Sequence, residues 1–120
     1  MNAARILVVD DERPNIEILA RTLAAKGHAT IAAESAEEAL AALASTTCDL
    51  VLLDQVLPGA TGMQSLGKLA ALTRAPIYMM SGNSDDETQL DAKLLGAKGF
   101  FAKPLDINEI LAVIAALPER

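Results

Sequence analysis

Five short apolar runs alternate with helix-period segments along this chain, and that alternation leaves few folds open. The runs are Ile6 to Val9, Ala29 to Ala33, Leu50 to Leu53, Ile77 to Met80 and Gly99 to Ala102. Gly, Pro or Asp stands at most junctions, the pattern of repeated βα units with right-handed crossovers and helices on both sheet faces. Ile6-Leu7-Val8-Val9 and Leu50-Val51-Leu52-Leu53 are apolar throughout, as strands buried on both faces must be, so they are expected at the sheet's centre. Ala29 to Ala33 is weaker and reads as an edge strand.

Spacing predicts the helices. Ile16, Leu19, Ala20 and Leu23 form one stripe, and Ile107, Ile110, Leu111 and Ile114 form another. Pro14 suits a first turn. Ser35-Ala36-Glu37-Glu38, Ser84-Asp85-Asp86-Glu87 and Asp106-Ile107-Asn108-Glu109 each pair an N-cap residue with a following Glu. Gly27 and Gly96 are natural C-terminal stops. The segment Asp85 to Leu95 has an acidic first turn, with Leu90, Leu94 and Leu95 as its only substantial apolar side chains, so it is expected to be less firmly anchored.

At 120 residues, 52 % of them apolar, the chain has material for one core, and residues 1–120 are read as a single domain. Its net charge of -6 comes from 16 acidic against 10 basic residues, and the basic ones are spread singly, which argues against direct nucleic-acid binding. Cys48 is the only cysteine, so neither an intrachain disulfide nor a thiol zinc site is available. After Met1 to Arg5, only the four apolar residues Ile6 to Val9 stand before Asp10, far short of a signal-peptide core or membrane span. These features point to a cytoplasmic protein with no membrane partner. His28 reads as a solvated loop residue, and Cys48 as packing rather than a nucleophile.

Six residues stand at or just beyond the ends of the apolar runs: Asp10, Asp11, Asp54, Ser81, Phe100 and Lys103. Open α/β sheets place their chemistry beyond the carboxyl ends of their strands. If the first and third strands are neighbours, three carboxylates meet there and repel one another unless neutralised. A small hard cation such as Mg²⁺ resolves this, because it takes oxygen ligands and leaves positions open for water and phosphate oxygens. Asp at a strand end also serves as a cap or turn residue, but three of them joined by Ser81 and Lys103 form a convergent constellation. Asp54, alone on the third strand, is the best nucleophile toward phosphorus, with Lys103 and Ser81 as donors to the phosphoryl oxygens.

The residues Ile6-Leu7-Val8-Val9-Asp10-Asp11-Glu12, Leu52-Leu53-Asp54 with Leu57-Pro58-Gly59 and Gly62, Ser81-Gly82, and Phe100-Phe101-Ala102-Lys103-Pro104 together resemble the receiver domain of two-component response regulators, including the single-domain chemotaxis type. The resemblance spans essentially the whole chain. It implies a flavodoxin-like α/β fold, a doubly wound five-stranded parallel sheet of order 2-1-3-4-5 with five helices, an order for which the chemotaxis receiver is a standard example. It also implies that Asp54 is the phosphoacceptor. Asp10, Asp11, Asp54 and the Val56 carbonyl would be the site for Mg²⁺ (or Mn²⁺), Ser81 and Lys103 the phosphoryl contacts, Phe100 the aromatic switch, and Lys103-Pro104 a cis peptide. The expected partners are a histidine kinase or histidine phosphotransfer protein and an unknown downstream protein or output domain.

Four positions are set apart from or vary within the commonest forms. Phe100 replaces a frequent tyrosine and can signal only by packing, Thr61 stands where an acidic residue is common, and Val56 and Asn83 flank the expected phosphoryl site. Two other classes compete with the phosphoacceptor. A Mg-dependent phosphatase with an aspartate nucleophile is disfavoured because Asp10-Asp11-Glu12 lacks an Asp-x-Asp pattern and the chain has no room for a cap domain. A receiver-like binding module that never accepts phosphate is disfavoured by the complete set of site residues. The expectation is a signalling domain that assists its own phosphotransfer and dephosphorylation, not an enzyme. The end, Leu117-Pro118-Glu119-Arg120, suits a single-domain regulator and an excised receiver equally.

Overall fold

The computed structural model describes residues 3–57, 61–82 and 86–118, with the side chains of 86–88 excepted. Its elements run β1 (Arg5–Val9), α1 (Arg13–Ala24), β2 (Ala29–Ala33), α2 (Ala36–Ser45), β3 (Leu50–Asp54), α3 (Gly62–Leu72), β4 (Ile77–Ser81), α4 (Asp86–Leu94), β5 (Gly99–Ala102) and α5 (Ile107–Ala115). All strand pairs are parallel and the order is β2-β1-β3-β4-β5. The continuously apolar strands β1 and β3 are side by side in the interior, and the weaker β2 is an edge.

Each strand feeds both faces, because successive side chains point to opposite sides. Leu7, Val9, Val51, Leu53, Ile77 and Met79 pack with residues of α2, α3 and α4. Ile6, Val8, Leu50, Leu52, Met80 and Phe101 pack on the other face against α1 and α5. The stripes account for this: Ile16, Leu19 and Leu23 of α1 are buried, as are Ile110 and Ile114 of α5. Ser35 caps α2 by accepting from the Glu38 N–H, and Asp106 caps α5 by accepting from the Asn108 N–H. Gly27 and Gly96, with φ of 88° and 119°, adopt the left-handed conformation that ends α1 and α4. The cap expected at Ser84 lies outside the described residues.

One expectation is sharpened and one needs correction. The leucines of α4 do not anchor it: Leu90 and Leu94 are 58 % and 76 % exposed and Leu95 is exposed too, while the small Ala92 is buried against the sheet. Ala92 lets the helix approach closely but contributes little apolar area, so α4 is held more thinly than its leucine count implies. His28 is not a solvated loop residue. It is half-buried, and its Nδ1 accepts the backbone N–H of buried Ala4 at 3.0 Å. On the other side of β1, Asp49 accepts the Arg5 N–H at 2.8 Å, so both flanks of the strand's entry are pinned by side chains.

Replacing His28 with Ala leaves the Ala4 N–H without that acceptor. The expected loss is about 1 to 3 kcal/mol, read as a lower urea midpoint at unchanged m-value; an unchanged midpoint would refute the role.

Candidate functional site

Val9 of β1 pairs with Leu53 of β3, so the next residues along, Asp10 and Asp54, become neighbours at the carboxyl ends of the two central strands. Asp10 is tied to the edge strand by its N–H, which donates to the Ala33 carbonyl at 3.0 Å. Its Oδ1 accepts the Glu12 N–H at 2.9 Å, and Asn15, in the first turn of α1, points its amide at Oδ2 from 3.5 Å. Asp54 closes β3. Its Oδ1 accepts the Val56 N–H at 3.2 Å and its Oδ2 accepts Lys103 Nζ at 3.0 Å.

Asp10 and Asp54 are both buried and Asp11 is exposed, and carboxylate oxygens from the three lie within 4.8 Å of one another. Burial is the largest influence on Asp10 and raises its pKa above the ordinary 3.8; the neighbouring Asp54 charge adds to this, while the Glu12 N–H, Lys103 and Asn15 oppose it. Lys103 is the single cation in direct contact, and it pairs with only one of the three carboxylates among the described residues. An all-oxygen donor set with excess negative charge and one open, exposed side fits a small hard divalent cation.

Ser81, also buried, ends β4 one strand beyond Asp54. Its carbonyl accepts the Lys103 N–H at 2.9 Å, which ties the lysine's backbone to the serine, and the Lys103–Pro104 peptide is cis. Phe100 is opposite Met79 and shares its sheet face, partly buried against the core that includes Ala92 and Ala97. Phe101 faces the other way and stacks on Tyr78 with ring centroids 5.0 Å apart. Of the adjacent aromatic pair, Phe100 alone adjoins α4. Asn83 lies outside the described residues.

The site also depends on α3, whose role was visible in the sequence as a Thr61-x-x-Gln64 capping pattern but not singled out. Thr61 Oγ1 accepts the Gln64 N–H at 3.1 Å and Gln64 Oε1 accepts the Thr61 N–H at 2.9 Å. This fixes the helix start so that the Gly62 N–H donates to the Gln55 carbonyl at 2.9 Å. A Cβ at Gly62 would collide with the Asp54 carbonyl oxygen and stand 3.0 Å from Met79 Cε. Thr61 therefore serves as a helix cap at the position where an acidic residue is common. A cavity of about 330 Å³ between α1 and α5 opens beside Asp10 and Lys103, with Ile18 on its wall.

Because the folded-state pKa of Asp10 is raised, the native state binds its proton more tightly than the unfolded chain does. Stability of the metal-free protein therefore falls as pH rises from 3.8 through that raised value. Asp10→Asn keeps an acceptor for the Glu12 N–H and removes the buried charge, so the metal-free variant should melt higher than wild type at pH 7. A divalent cation that raises the melting temperature of the wild type should leave that of the variant unchanged. A lower melting temperature without metal would contradict this electrostatic reading.

Comparison with known proteins agrees with the geometry. Residues 6–115 match the response regulator receiver domain model. The transcriptional regulatory protein YvrH of Bacillus subtilis is 32 % identical over 121 residues, covering 100 % of this chain and 51 % of its own length. The phosphate regulon transcriptional regulatory protein PhoB of Klebsiella pneumoniae is 36 % identical over 121 residues, covering 98 % of this chain and 53 % of its own. The chain thus spans about half the length of the curated relatives it matches. Among solved structures, a two-component response regulator from Clostridium difficile superposes with a TM-score of 0.89 at 28 % identity, covering 93 % of both chains. A response regulator from Burkholderia pseudomallei, solved with a phosphorylated aspartic acid, a calcium ion and citrate, superposes with a TM-score of 0.85 at 29 % identity, covering 90 % of this chain and 64 % of its own. With the sheet order and the acidic site, these matches show that the chain belongs to the response regulator receiver domain family of two-component signalling.

Proposed function

We propose that residues 1–120 act as one receiver domain in which Asp54 accepts a phosphoryl group from a phosphohistidine on a partner kinase or phosphotransfer protein. The observation that carries this reading is the pairing of buried Asp54 with Lys103 Nζ at 3.0 Å inside a three-carboxylate cluster. A carboxylate oxygen of Asp54 attacks phosphorus, the P–N bond breaks as the O–P bond forms, and the imidazole leaves with that bond's electron pair. Asp10, Asp11, Asp54 and the Val56 carbonyl are the proposed ligands of Mg²⁺ or Mn²⁺, which would supply charge neutralisation for the transferring oxygens. Lys103 orients Asp54 beforehand and is in reach of the new anion afterwards, with Ser81 as the second donor. The domain assists its own phosphotransfer and dephosphorylation without being a free-standing enzyme. A cytoplasmic location fits the absence, among the described residues, of any helix long and apolar enough to cross a membrane.

The transferred group adds roughly -1.5 to -2 charges beside Asp54. We assign the response to Ser81, Phe100 and α4. Met79 and Ser81 on β4 share a face with Phe100 on β5, and Ser81 pairs with Ala102 two residues further on, so a shift of Ser81 toward the phosphoryl group frees space next to the Phe100 ring. Phe100 packs on the side that α4 covers, and α4 is thinly anchored with exposed Leu90 and Leu94, which makes its face with β5 and α5 the partner surface. The downstream protein or output domain that reads this face is part of the proposal, as is the absence of direct nucleic-acid contact by residues 1–120.

Incubation with acetyl phosphate and Mg²⁺ should add the mass of one phosphoryl group to the wild type and none to Asp54→Asn; an equal gain in the variant would exclude Asp54. Hydrogen exchange with and without a phosphoryl mimic should change in α4 and β5 while α1 holds constant, and unchanged protection in α4 would remove it from the switch.

A further inference from the structure

At the opposite pole from the acidic site, a groove of about 800 Å³ runs under the amino ends of β4 and β5, between the α3–β4 connection, the α4–β5 connection and the end of α5. Its polar side chains include Thr73, Arg74, Lys93 and Lys98, and no Asp or Glu lines it among the described residues. In a chain of net charge -6, three of the ten basic residues open onto this one groove, although they are far apart in sequence. All three are exposed, and none forms an ion pair among the described residues. The rest of the lining is almost wholly apolar: small aliphatic side chains, two prolines and the partly buried ring of Tyr78, braced from behind by its stack on Phe101.

Helix ends do not account for this. Lys93 is in the last turn of α4 and Arg74 follows α3, where positive charge offsets the helix dipole. Lys98 belongs to no helix. Three helix C-termini bring about half a negative charge each, roughly -1.5 in total, against three full positive charges, so among the described residues the groove's lining keeps a positive excess. An apolar bed with a few convergent charges of one sign is the make-up of a small-molecule site, and the volume lies within the usual range for one.

We propose that this groove is a second ligand site for an organic polyanion of the nucleoside polyphosphate class, with its phosphates on Arg74, Lys93 and Lys98 and its base on the apolar bed beside Tyr78. The site is separate from the phosphoryl pole, because Ile77 and Ser81 are at opposite ends of β4, roughly 13 Å apart at the rise of an extended strand. Since it bridges the connection after α4 and the end of α5, its occupant contacts two of the three elements of the proposed partner surface. Ligand binding and phosphorylation would then meet on one face without sharing a residue.

The proposal is tested by titrating the 120-residue chain with ATP in chelator-containing, metal-free buffer, followed by calorimetry and backbone amide shifts. Expected are saturable, salt-sensitive binding and shifts within residues 73–78, 93–98 and 112–117. ATP should bind at least about tenfold more tightly than inorganic triphosphate, a difference of about 1.4 kcal/mol. Arg74→Glu with Lys98→Glu, and Lys98→Glu alone, should weaken binding in that order while leaving the melting temperature in place, and Asp54→Asn should bind as wild type does. Equal binding by the charge-reversed variants, equal affinity for triphosphate, or shifts confined to the Asp10 pole would each overturn it. Because the readout needs neither metal nor phosphotransfer, its failure leaves the Asp54 reading standing, and failure of Asp54 to accept phosphate leaves this site standing.

Discussion

The burial of Asp10 and Asp54 side by side at the ends of two central strands is the constraint around which the rest of the molecule is organised. Two carboxylates in low-dielectric surroundings repel each other, and a third, Asp11, is within reach. One lysine offsets part of this charge. The resting site is therefore electrostatically incomplete, and that incompleteness is what makes it receptive to a cation and, through the cation, to an anionic phosphoryl group. A salt bridge that satisfied every carboxylate would give a more stable protein with less reason to bind either.

The parallel sheet supplies the means. Because all five strands run the same way, every strand end delivers a residue to the same pole, and every helix returns the chain to the other. Three carboxylates meet at one pole and three basic side chains line the groove at the other, each set drawn from separate stretches of the chain. The apolar layers between the poles are buried on both faces, so the positions of Asp10, Asp54 and Ser81 follow from the close packing of residues that carry no chemistry.

The sequence was most legible where burial dictates residue type. The apolar runs located the strands to within a residue, since a strand covered on both faces has no polar position to disguise it. Stripes on α1 and α5 placed those helices for the same reason. Legibility failed where packing depends on small residues or on backbone partners. The weak anchoring of α4 was legible, but that the small Ala92 rather than a leucine makes the contact was not. His28 looks like a loop residue until the Ala4 N–H is found against it. At the site, residue types named the acidic cluster, but the 3.0 Å pairing of Lys103 with Asp54 rather than Asp10 or Asp11, and the seating of α3 on Asp54, are facts of three-dimensional packing. The basic groove was hidden because its members are 19 and 5 residues apart, at positions 74, 93 and 98.

Gly62 gives the molecule a mechanical asymmetry. With no Cβ, the start of α3 rests directly on the Asp54 carbonyl and is clamped there by a reciprocal cap, so that flank of the site is a rigid abutment. On the opposite flank, among the described residues, α4 meets the core through the small Ala92, with Ala97 just beyond the helix end. On the proposed function, stress generated between them by an added charge would not be shared equally: displacement would go to the less firmly held support. In the proposed switch, the direction of the signal would follow from how the two walls are held, before any partner has bound.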